Sequence, residues 1–261
     1  MKVKNLEKIL KKRNAEYKKI SVLDKLDLNE IFGDGKHNIV LVGGDGTLNV
    51  MFNYVRGIEI KNQIYMFRAG TGNDFARSFK GDLLNITEAV KNLPLLKVED
   101  NGEERIFLNG CGLGVDGLIC KKVNTKNKKS KLHFFKCAIK SFLEFKKFDV
   151  ELTLDGEKKK EFKKVWLCSI MHGVYQGGGM KMSPKSDRYD DELEVMIVHG
   201  LSRLSIVFLF PLIYLGWHIG LKRWVYYDKC KHVEIITKRK TVLQYDGEVM
   251  DEISHVKASF E

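Results

Sequence analysis

Apolar residues near the start of the chain follow two different periods. Leu6, Ile9 and Leu10 fall on one helical face, which predicts a helix over Asn5–Asn14. The next segment, Tyr17–Leu23, alternates like a strand. The chain is therefore expected to begin with a helix followed by a strand.

A strand, a glycine turn, a helix and a second strand come next. Ile39–Val42 is continuously apolar, which is typical of a parallel strand covered on both faces. It runs into the glycine-rich segment Gly43–Asn49, a helical stretch to about Val55, and another buried strand, Ile64–Phe67. This order is that of a βαβ unit and predicts an α/β domain.

After Pro94 the pattern changes to strand-like runs separated by turn signals. The predicted strands are Arg105–Gly110, Phe148–Leu154, Val165–Met171, Leu193–Val198, His232–Thr237 and Val242–Tyr245. Their spacing predicts a mostly antiparallel β domain, interrupted by a basic helix at about Lys131–Lys146 and by an apolar segment at 204–227. The boundary between the two domains is expected near residues 94–104.

Composition and charge narrow the class of protein. The 261 residues are 44% hydrophobic with three prolines, which excludes long disordered linkers. Five cysteines without a C-x-x-C pair argue against a zinc or redox motif and favour a reducing cytosol. The net charge of +11 indicates an anionic partner, which is nucleic acid, a phosphorylated small molecule or a lipid surface, unless the lysine blocks are simply a solvated face.

The longest apolar run, Leu204–Gly220, is the candidate for a membrane span. Its 17 residues lie at the lower edge of the roughly 17–25 that a span needs, and they include Pro211 and His218. A buried or interfacial helical hairpin is expected instead, with the bend at Pro211 because proline cannot donate to the preceding turn.

Two glycine turns carry the candidate chemistry of the first domain. In Gly43–Asn49, glycines at the end of a strand let backbone N–H groups approach a phosphate, and Asp45 is placed to bind Mg²⁺ or a hydroxyl proton. The second turn, Ala69–Arg77, follows the neighbouring strand, so the two turns are expected to meet at one edge of the sheet. The alternative is structural: a plain βα turn, and Asn73 and Asp74 as a helix cap.

Four strings occur in the chain in a fixed order: GGDGTLN (43–49), AGTGNDFAR (69–77), GGGMKMSPKSDRYDDELEV (177–195) and YDGE (245–248). Together they resemble the diacylglycerol kinase catalytic family, which includes the bacterial soluble lipid kinases and has sphingosine and ceramide kinases as relatives. NAD kinases and phosphofructokinases share a Gly-Gly-Asp-Gly turn, but the second string points away from both. The resemblance covers most of the chain.

The resemblance implies the fold class α/β plus β. It places an N-terminal Rossmann-like α/β nucleotide-binding domain over residues 1–97 and a C-terminal β-sandwich domain over residues 98–249, with a cleft between them. Residues 250–261 are expected to return to the first domain. A second Asp-Gly-Glu, at 155–157, is interpreted as a hairpin turn, because strands flank it and charged residues follow it.

The resemblance also implies roles for individual residues. Glu248 matches the general base that takes the proton from the acceptor hydroxyl, and Asp45 lies next to the Mg²⁺ that travels with ATP. Asp191, with the main-chain carbonyls of Arg188 and Leu193, matches a mainly structural Mg²⁺ site. The residues implied in nucleotide binding are Gly43, Gly44, Asp45, Gly46, Thr47, Leu48, Asn49, Thr71, Asn73 and Asp74.

The activity that the resemblance implies is ATP- and Mg²⁺-dependent phosphorylation of the hydroxyl of a diacylglycerol-like lipid. The expected setting is the cytoplasm, peripherally at the anionic inner face of the membrane, with a homodimer left open and without nucleic acid as a partner. The alternative is a weak or inactive family member that binds lipid or nucleotide. A nucleic-acid binder rests on charge alone and lacks a recognition motif.

The chain departs from the family pattern near its start. The family's first strand and its Asn-Pro-x-x-Gly loop are missing, Ser21 is nearest to a usual threonine, Arg68 replaces a proline and Glu192 replaces a glycine. Loss of a central strand would expose sheet edges and remove part of the ATP site. Two explanations follow: the start lies downstream of the true one, or the short form is real and is weakened or non-catalytic.

Overall fold

In the computed structural model the chain divides into two units, Met1–Leu93 and Pro94–Glu261. The structure describes residues 2–21, 27–55, 57–70, 72–81, 83–100, 102–125 and 131–260. The division falls four residues before the boundary expected after residue 97, because the strand that begins at Leu96 pairs within the second unit.

The first unit is an α/β arrangement around a three-stranded sheet. Its elements are α1 (Lys2–Lys12), α2 (Leu28–Gly33), β1 (Ile39–Gly43), α3 (Asp45–Tyr54), β2 (Ile64–Arg68), a 3₁₀ helix (Phe75–Ser78), β3 (Leu83–Asn85) and α4 (Thr87–Asn92). β1 and β2 are parallel, and β3 is antiparallel to β2. Leu48 and Phe52 of α3 are buried. The predicted first helix and the predicted βαβ unit are therefore confirmed.

The strand predicted over Tyr17–Leu23 is wrong for its described part. Residues 17–21 have no regular structure, and residues 22 and 23 lie outside the described residues. The side chains of Tyr17 and Ile20 are exposed. Alternation yields a strand only where a neighbour completes its packing and hydrogen bonding, and no described strand pairs with this segment.

The second unit is built on an antiparallel sheet that has nine strands among the described residues. Its elements are β4 (Leu96–Asp100), β5 (Glu103–Phe107), β6 (Gly110–Gly114), α5 (Val115–Asn124), α6 (Lys131–Glu144), β7 (Phe148–Leu154), β8 (Lys158–Met171), β9 (Leu193–His199), α7 (Arg203–Leu209), α8 (Leu212–Leu215), a 3₁₀ helix (Trp217–Gly220), β10 (Val225–Cys230), β11 (His232–Tyr245) and β12 (Glu248–Phe260). The strand order is β10-β9-β8-β6-β11-β12-β4-β5, with β7 paired to β8 and β11.

Two long strands, β8 and β11, give this sheet its sandwich-like form. Toward one end both strands pair with β7, and toward the other end both pair with β6. The register shifts near Val165 in β8 and between Ile236 and Thr241 in β11, so each strand can change partner along its length. Trp166 and Phe142 are among the fully enclosed side chains of the core. The predicted antiparallel β domain is confirmed.

The last strand corrects the expected return of residues 250–261 to the first domain. β12 pairs with β11 on one side and with β4 on the other, so it is an interior strand of the second unit. Ile253, Val256 and Ala258 are buried within it. A left-handed residue, Glu252 with φ of 65°, lies where the register with β11 shifts. This irregularity breaks the alternation by which the strand could have been recognised.

The two insertions are helical, as predicted. α6 covers the basic segment, and the apolar segment forms α7, α8 and the second 3₁₀ helix. Pro211 is the N-cap of α8, so the apolar segment is interrupted at this proline and forms two separate helices. Within the part of the chain that the structure describes, no helix combines the length and the apolar character needed to cross a membrane.

Candidate functional site

The two glycine turns of the first unit touch each other through their backbones. A Cβ atom built on Gly44 would lie 2.8 Å from the Gly70 Cα, and one built on Gly70 would lie 2.5 Å from the Gly44 Cα. The Gly43 carbonyl accepts hydrogen bonds from the N–H groups of Ala69 (2.8 Å) and Gly70 (3.1 Å). Only glycine permits this approach at both positions. The meeting of the turns at one sheet edge is therefore confirmed.

Asp45 holds the second turn onto the first. Its two carboxylate oxygens accept the backbone N–H groups of Asp74 (3.0 Å) and Phe75 (2.9 Å). The expected helix cap from the side chains of Asn73 and Asp74 is thus wrong, because the N-cap residue Asp74 makes no side-chain cap bond. The cap comes from a residue about thirty positions earlier, which local sequence patterns do not reveal. The phenylalanine after it is fully buried, as that structural alternative held.

The N-terminus of α3 faces open space at this edge. Gly44 is its N-cap and provides no side chain to bond the first-turn N–H groups. A Cβ atom built on Gly46 would meet nothing within 4 Å, whereas one built on Gly43 would clash with Thr47 at 2.4 Å. The helix therefore begins without a side-chain cap and with open space beside Gly46, and a helix N-terminus of this kind favours an anion such as a phosphate.

The other residues predicted to bind nucleotide differ in whether their side chains are buried or already hydrogen-bonded. The Leu48 side chain is fully buried in the core, and the Asn49 side chain accepts a hydrogen bond from Asn53 at 3.1 Å. Asn73 adopts a left-handed conformation with φ of 53° and donates to the Gly70 carbonyl at 2.8 Å. Its Oδ1 is buried without a partner among the described atoms. Thr71 lies outside the described residues.

Two charged side chains fix the second turn. Arg68 donates to the carbonyls of Ala76 and Phe79, both at 2.7 Å, and so bonds the end of the 3₁₀ helix. Asp74 is buried and pairs with Arg77 at 3.3 Å. The arginine that replaces the family's proline therefore has a structural role in this chain.

In the second unit, the turn between β11 and β12 is held by the carboxylate of Asp246. It accepts the N–H groups of Leu108 (2.5 Å) and Asn109 (2.9 Å), and the Asp246 N–H donates to the Gly110 carbonyl (3.1 Å). Asp246 and Gly247 both have positive φ, at 45° and 98°. This is the backbone of a two-residue hairpin, for which Asp-Gly is a preferred sequence.

Glu248 follows this turn as the first residue of β12, and its side chain is exposed. The carbonyl of Gly247 accepts from the Cys120 thiol and from the Asn124 amide, both at 2.9 Å. The backbone ahead of Glu248 is therefore bonded from two sides while its carboxylate faces solvent. Such an arrangement presents a proton acceptor on a fixed backbone.

A buried carboxyl group lies close to this turn and was not predicted from the sequence. Asp116 is in the first turn of α5, and its Oδ2 accepts from the Gln244 amide at 3.3 Å. Burial raises its pKa to about 6. A Cβ atom on Gly112 would lie 2.1 Å from this Oδ2. The available signal was a third glycine-rich strand-to-helix turn, in which glycines at 110, 112 and 114 precede the aspartate.

The predicted Mg²⁺ site of the second unit is held by lysines. The Asp191 carboxylate pairs with the Lys231 ammonium, and this hydrogen bond lowers the pKa of Asp191. Lys229 lies 2.8 Å from the Glu192 carboxylate and 3.1 Å from that of Asp190. Because these ammonium groups already neutralise the carboxylates, the residues as arranged here do not fit a bound cation.

The other two predicted ligands offer only backbone oxygens to that site. The Arg188 side chain is buried and donates to the Leu108 carbonyl (2.6 Å) and to the Asn109 side chain (2.8 Å). Leu193 is buried as the first residue of β9. No group of three or more acidic, histidine or cysteine side chains with metal-binding geometry occurs among the described residues.

Comparison with known proteins identifies the family. Residues 110–259 match the YegS C-terminal NAD kinase beta sandwich-like domain, and residues 1–100 match the diacylglycerol kinase catalytic domain. The first match alone covers more than half of the chain. The protein therefore belongs to the family that joins a diacylglycerol kinase catalytic domain to a sandwich-like C-terminal domain, and the predicted fold class is confirmed.

Individual relatives are distant but match over most of this chain. The chain is 24% identical over 231 residues to "Putative lipid kinase YtlR" of Bacillus subtilis, covering 81% of this chain and 74% of that protein. It is 25% identical over 197 residues to a diacylglycerol kinase of Mycobacterium tuberculosis, covering 72% and 63%. A solved diacylglycerol kinase structure from Bacillus anthracis matches with a TM-score of 0.58 at 21% identity, covering 89% and 75%, and shows a shared fold.

Proposed function

We propose that this protein transfers the γ-phosphoryl group of Mg-ATP to the hydroxyl of a diacylglycerol-like lipid, giving a phosphatidic-acid-type product. The observation that carries the proposal is the contact between Gly44 and Gly70, beside an uncapped helix N-terminus. Backbone amides at such an edge bind phosphate without a side-chain cation. The names of the relatives supply the class of acceptor, a diacylglycerol or related lipid.

In this proposal the first unit binds and orients the nucleotide. The N–H groups of Gly46 and Thr47 donate hydrogen bonds to phosphate oxygens. Asp45 keeps the two turns together by accepting the N–H groups of Asp74 and Phe75. Mg²⁺ enters with ATP as part of the substrate and neutralises phosphate charge. Phosphoryl transfer requires mainly positioning and charge neutralisation, which backbone donors on a rigid turn provide.

The second unit supplies the base in this proposal. Glu248 takes the proton of the acceptor hydroxyl as the hydroxyl oxygen bonds to the γ-phosphorus and the bond from that phosphorus to the bridging oxygen of ADP breaks. The proton remains on the Glu248 carboxyl, and ADP leaves with the bridging electron pair. The exposed position of Glu248 at the start of β12 is consistent with access to a lipid hydroxyl.

Transfer of labelled γ-phosphate from Mg-ATP into a mixed lipid extract tests the proposal. The expected product is a phosphorylated lipid whose mass identifies the acceptor, made by the wild type and lost in Glu248→Gln. Lipid or nucleotide binding without any transfer would instead establish a non-catalytic binding protein with this fold. In that outcome, repetition with an N-terminally extended form tests whether a longer chain restores the activity.

A further inference from the structure

Helix α6 exposes a band of apolar side chains beside lysines. Leu132, Phe135 and Leu143 are exposed, with Leu132 at 66%, although all three are large apolar residues. At 100° per residue these three positions lie within one 80° sector of the helix, and Lys136 and Lys140 border the sector on one side. The opposite face, which includes Cys137 and Ser141, is buried, and Phe142 at the edge of the sector is buried as well. One face of α6 is thus bound to the protein and the other is apolar toward solvent.

The apolar segment at 203–220 shows the same division. Ile206, Phe210 and Ile213 are buried. In contrast, Phe208, Leu204 and Trp217 are 78%, 70% and 67% exposed, and Leu215 is also exposed. Leu204 and Phe208 are four residues apart and therefore lie on one face of α7. The exposed side chains project into solvent, so packing within the β domain does not explain why these positions are apolar.

These two elements are packed against each other. The ring of Phe210 lies 5.1 Å from that of Phe142 and 6.2 Å from that of Phe135, centroid to centroid. Arg203 donates to the carbonyls of Leu143 and Phe145. We call the exposed side chains of both elements the apolar patch: Leu132, Phe135, Leu143, Leu204, Phe208, Leu215 and Trp217. Its members belong to adjoining helices on one packed core.

Along the two segments that carry the apolar patch, the charged residues have one sign almost throughout. No Asp or Glu occurs between Glu194 and Asp228, whereas Arg203, Lys222 and Arg223 lie in that interval and are exposed. In α6 the acidic residue is Glu144, which is already paired with Lys122 and Lys140. A second copy of the same patch would bring like charges together, but an anionic bilayer surface would attract them.

We infer that the apolar patch is the surface by which this protein docks on an anionic phospholipid bilayer, with Phe208, Leu204 and Trp217 inserted among the lipid headgroups. This inference deepens the proposed function, on which it rests for the lipid nature of the acceptor. Exposed aromatic and aliphatic side chains beside basic residues are the combination that binds the membrane interface. The expected consequence is delivery of the enzyme to an acceptor that never leaves the membrane.

Co-sedimentation with vesicles tests the docking without any use of activity. The probe is 1:1 phosphatidylglycerol and phosphatidylcholine, compared with phosphatidylcholine alone. The triple variant Leu204→Ser/Phe208→Ser/Trp217→Ser is expected to lose at least tenfold in partitioning onto the anionic vesicles, because three apolar side chains no longer enter the interface. Ile236→Ser, which removes an exposed apolar side chain from β11, is the matched control and is expected to bind like the wild type.

Two further readouts separate the possible failures. Tryptophan emission is expected to shift to the blue on anionic vesicles in the wild type and not in Trp217→Phe. Unchanged partitioning of the triple variant, or a wild-type dimer in solution that this variant abolishes, would overturn the docking assignment. Transfer to a detergent-dispersed short-chain diacylglycerol is expected to survive in the triple variant. If the wild type also fails to transfer phosphate to this substrate, the proposed function is contradicted. The vesicle experiment then still decides whether the apolar patch binds the bilayer.

Discussion

The second unit contains the tripeptide Asp-Gly-Glu twice, and in both copies Asp-Gly lies at the centre of a hairpin turn. The loops differ in length, because Tyr245 pairs with Glu248 across two residues whereas Leu154 pairs with Lys158 across three. In both, the Asp and Gly have positive φ: 51° and 75° at Asp155-Gly156, and 45° and 98° at Asp246-Gly247. In both, the Asp carboxylate accepts N–H groups from a neighbouring segment, three for Asp246 and two for Asp155. For Asp155 these are the N–H groups of Lys231 (2.8 Å) and His232 (2.9 Å). A local pattern therefore predicts the turn equally well in either place.

The surroundings distinguish the two turns. Glu157 leads into a run of lysines on an exposed stretch of β8. Glu248 instead begins an interior strand whose preceding carbonyl is bonded by α5, close to the buried Asp116. The comparison teaches that the tripeptide encodes a hairpin, and that the elements packed behind it set the environment of its glutamate.

The aspartates of the two turns are expected to contribute differently to the free energy of unfolding. Asp246 is partly buried and bonds the segment ahead of β6, whereas Asp155 is exposed. Asp246→Ala leaves buried N–H groups without acceptors, at about 2–3 kcal/mol, whereas Asp155→Ala is expected to cost about 1 kcal/mol. Urea unfolding of both variants measures the loss in the free energy of unfolding. Equal losses would show that the two aspartates contribute equally to stability despite their different surroundings.

Asp116 adds a further difference between the two turns, because its buried carboxyl lies near the Glu248 turn. Burial raises its folded-state pKa from 3.8 to about 6, so the folded state holds the proton more tightly than the unfolded state. Protonated Asp116 therefore adds to the free energy of unfolding, by about 3 kcal/mol for a pKa difference of about two units. This contribution is fully present below pH 4 and is lost as the pH rises to about 6. Asp116→Asn is expected to remove this slope from urea unfolding measured between pH 4 and 7. An unchanged slope would contradict the raised pKa.

The smallest expected effect is that of metal removal. Because Lys231 and Lys229 neutralise the carboxylates at the predicted Mg²⁺ site, dialysis against EDTA is expected to move the melting midpoint by less than about 2 °C, the shift that roughly 1 kcal/mol produces in a chain of this size. Lys231→Met removes one exposed ion pair and is expected to leave the stability close to that of the control Lys238→Met. A large loss of stability in EDTA would show that the loop binds a cation after all.

Much of the fold follows from residues that are close in sequence. The unbroken apolar run of β1, the glycines after it and the β7–β8 hairpin were predicted from local patterns and are confirmed. What escaped prediction depends on partners far along the chain. Residues 17–21 alternate but have no neighbouring strand among the described residues, and β12 has two neighbours but an interrupted alternation at Glu252.

The candidate site divides in the same way. Gly44 and Gly70 were predicted to meet because turns after adjacent parallel strands lie side by side, and they do. The bonds of Asp45 to the second turn and of Lys231 to Asp191 join residues about thirty to forty positions apart. Periodic patterns in the sequence do not predict contacts between residues so far apart in the chain. The general base, the nucleotide contacts and the acceptor lipid remain predictions that rest on the proposed function.

The most direct test of the account compares single-turnover phosphoryl transfer in Glu248→Gln and Glu157→Gln at saturating Mg-ATP. A general base contributes roughly 10²- to 10⁴-fold, so Glu248→Gln is expected to slow transfer by at least about 100-fold. Glu157→Gln is expected to stay within about twofold, as for other surface substitutions. Unchanged Mg-ADP binding in both variants excludes a loss of the nucleotide site. Equal rates in the two variants would contradict the assignment of Glu248 and remove the distinction between the two turns.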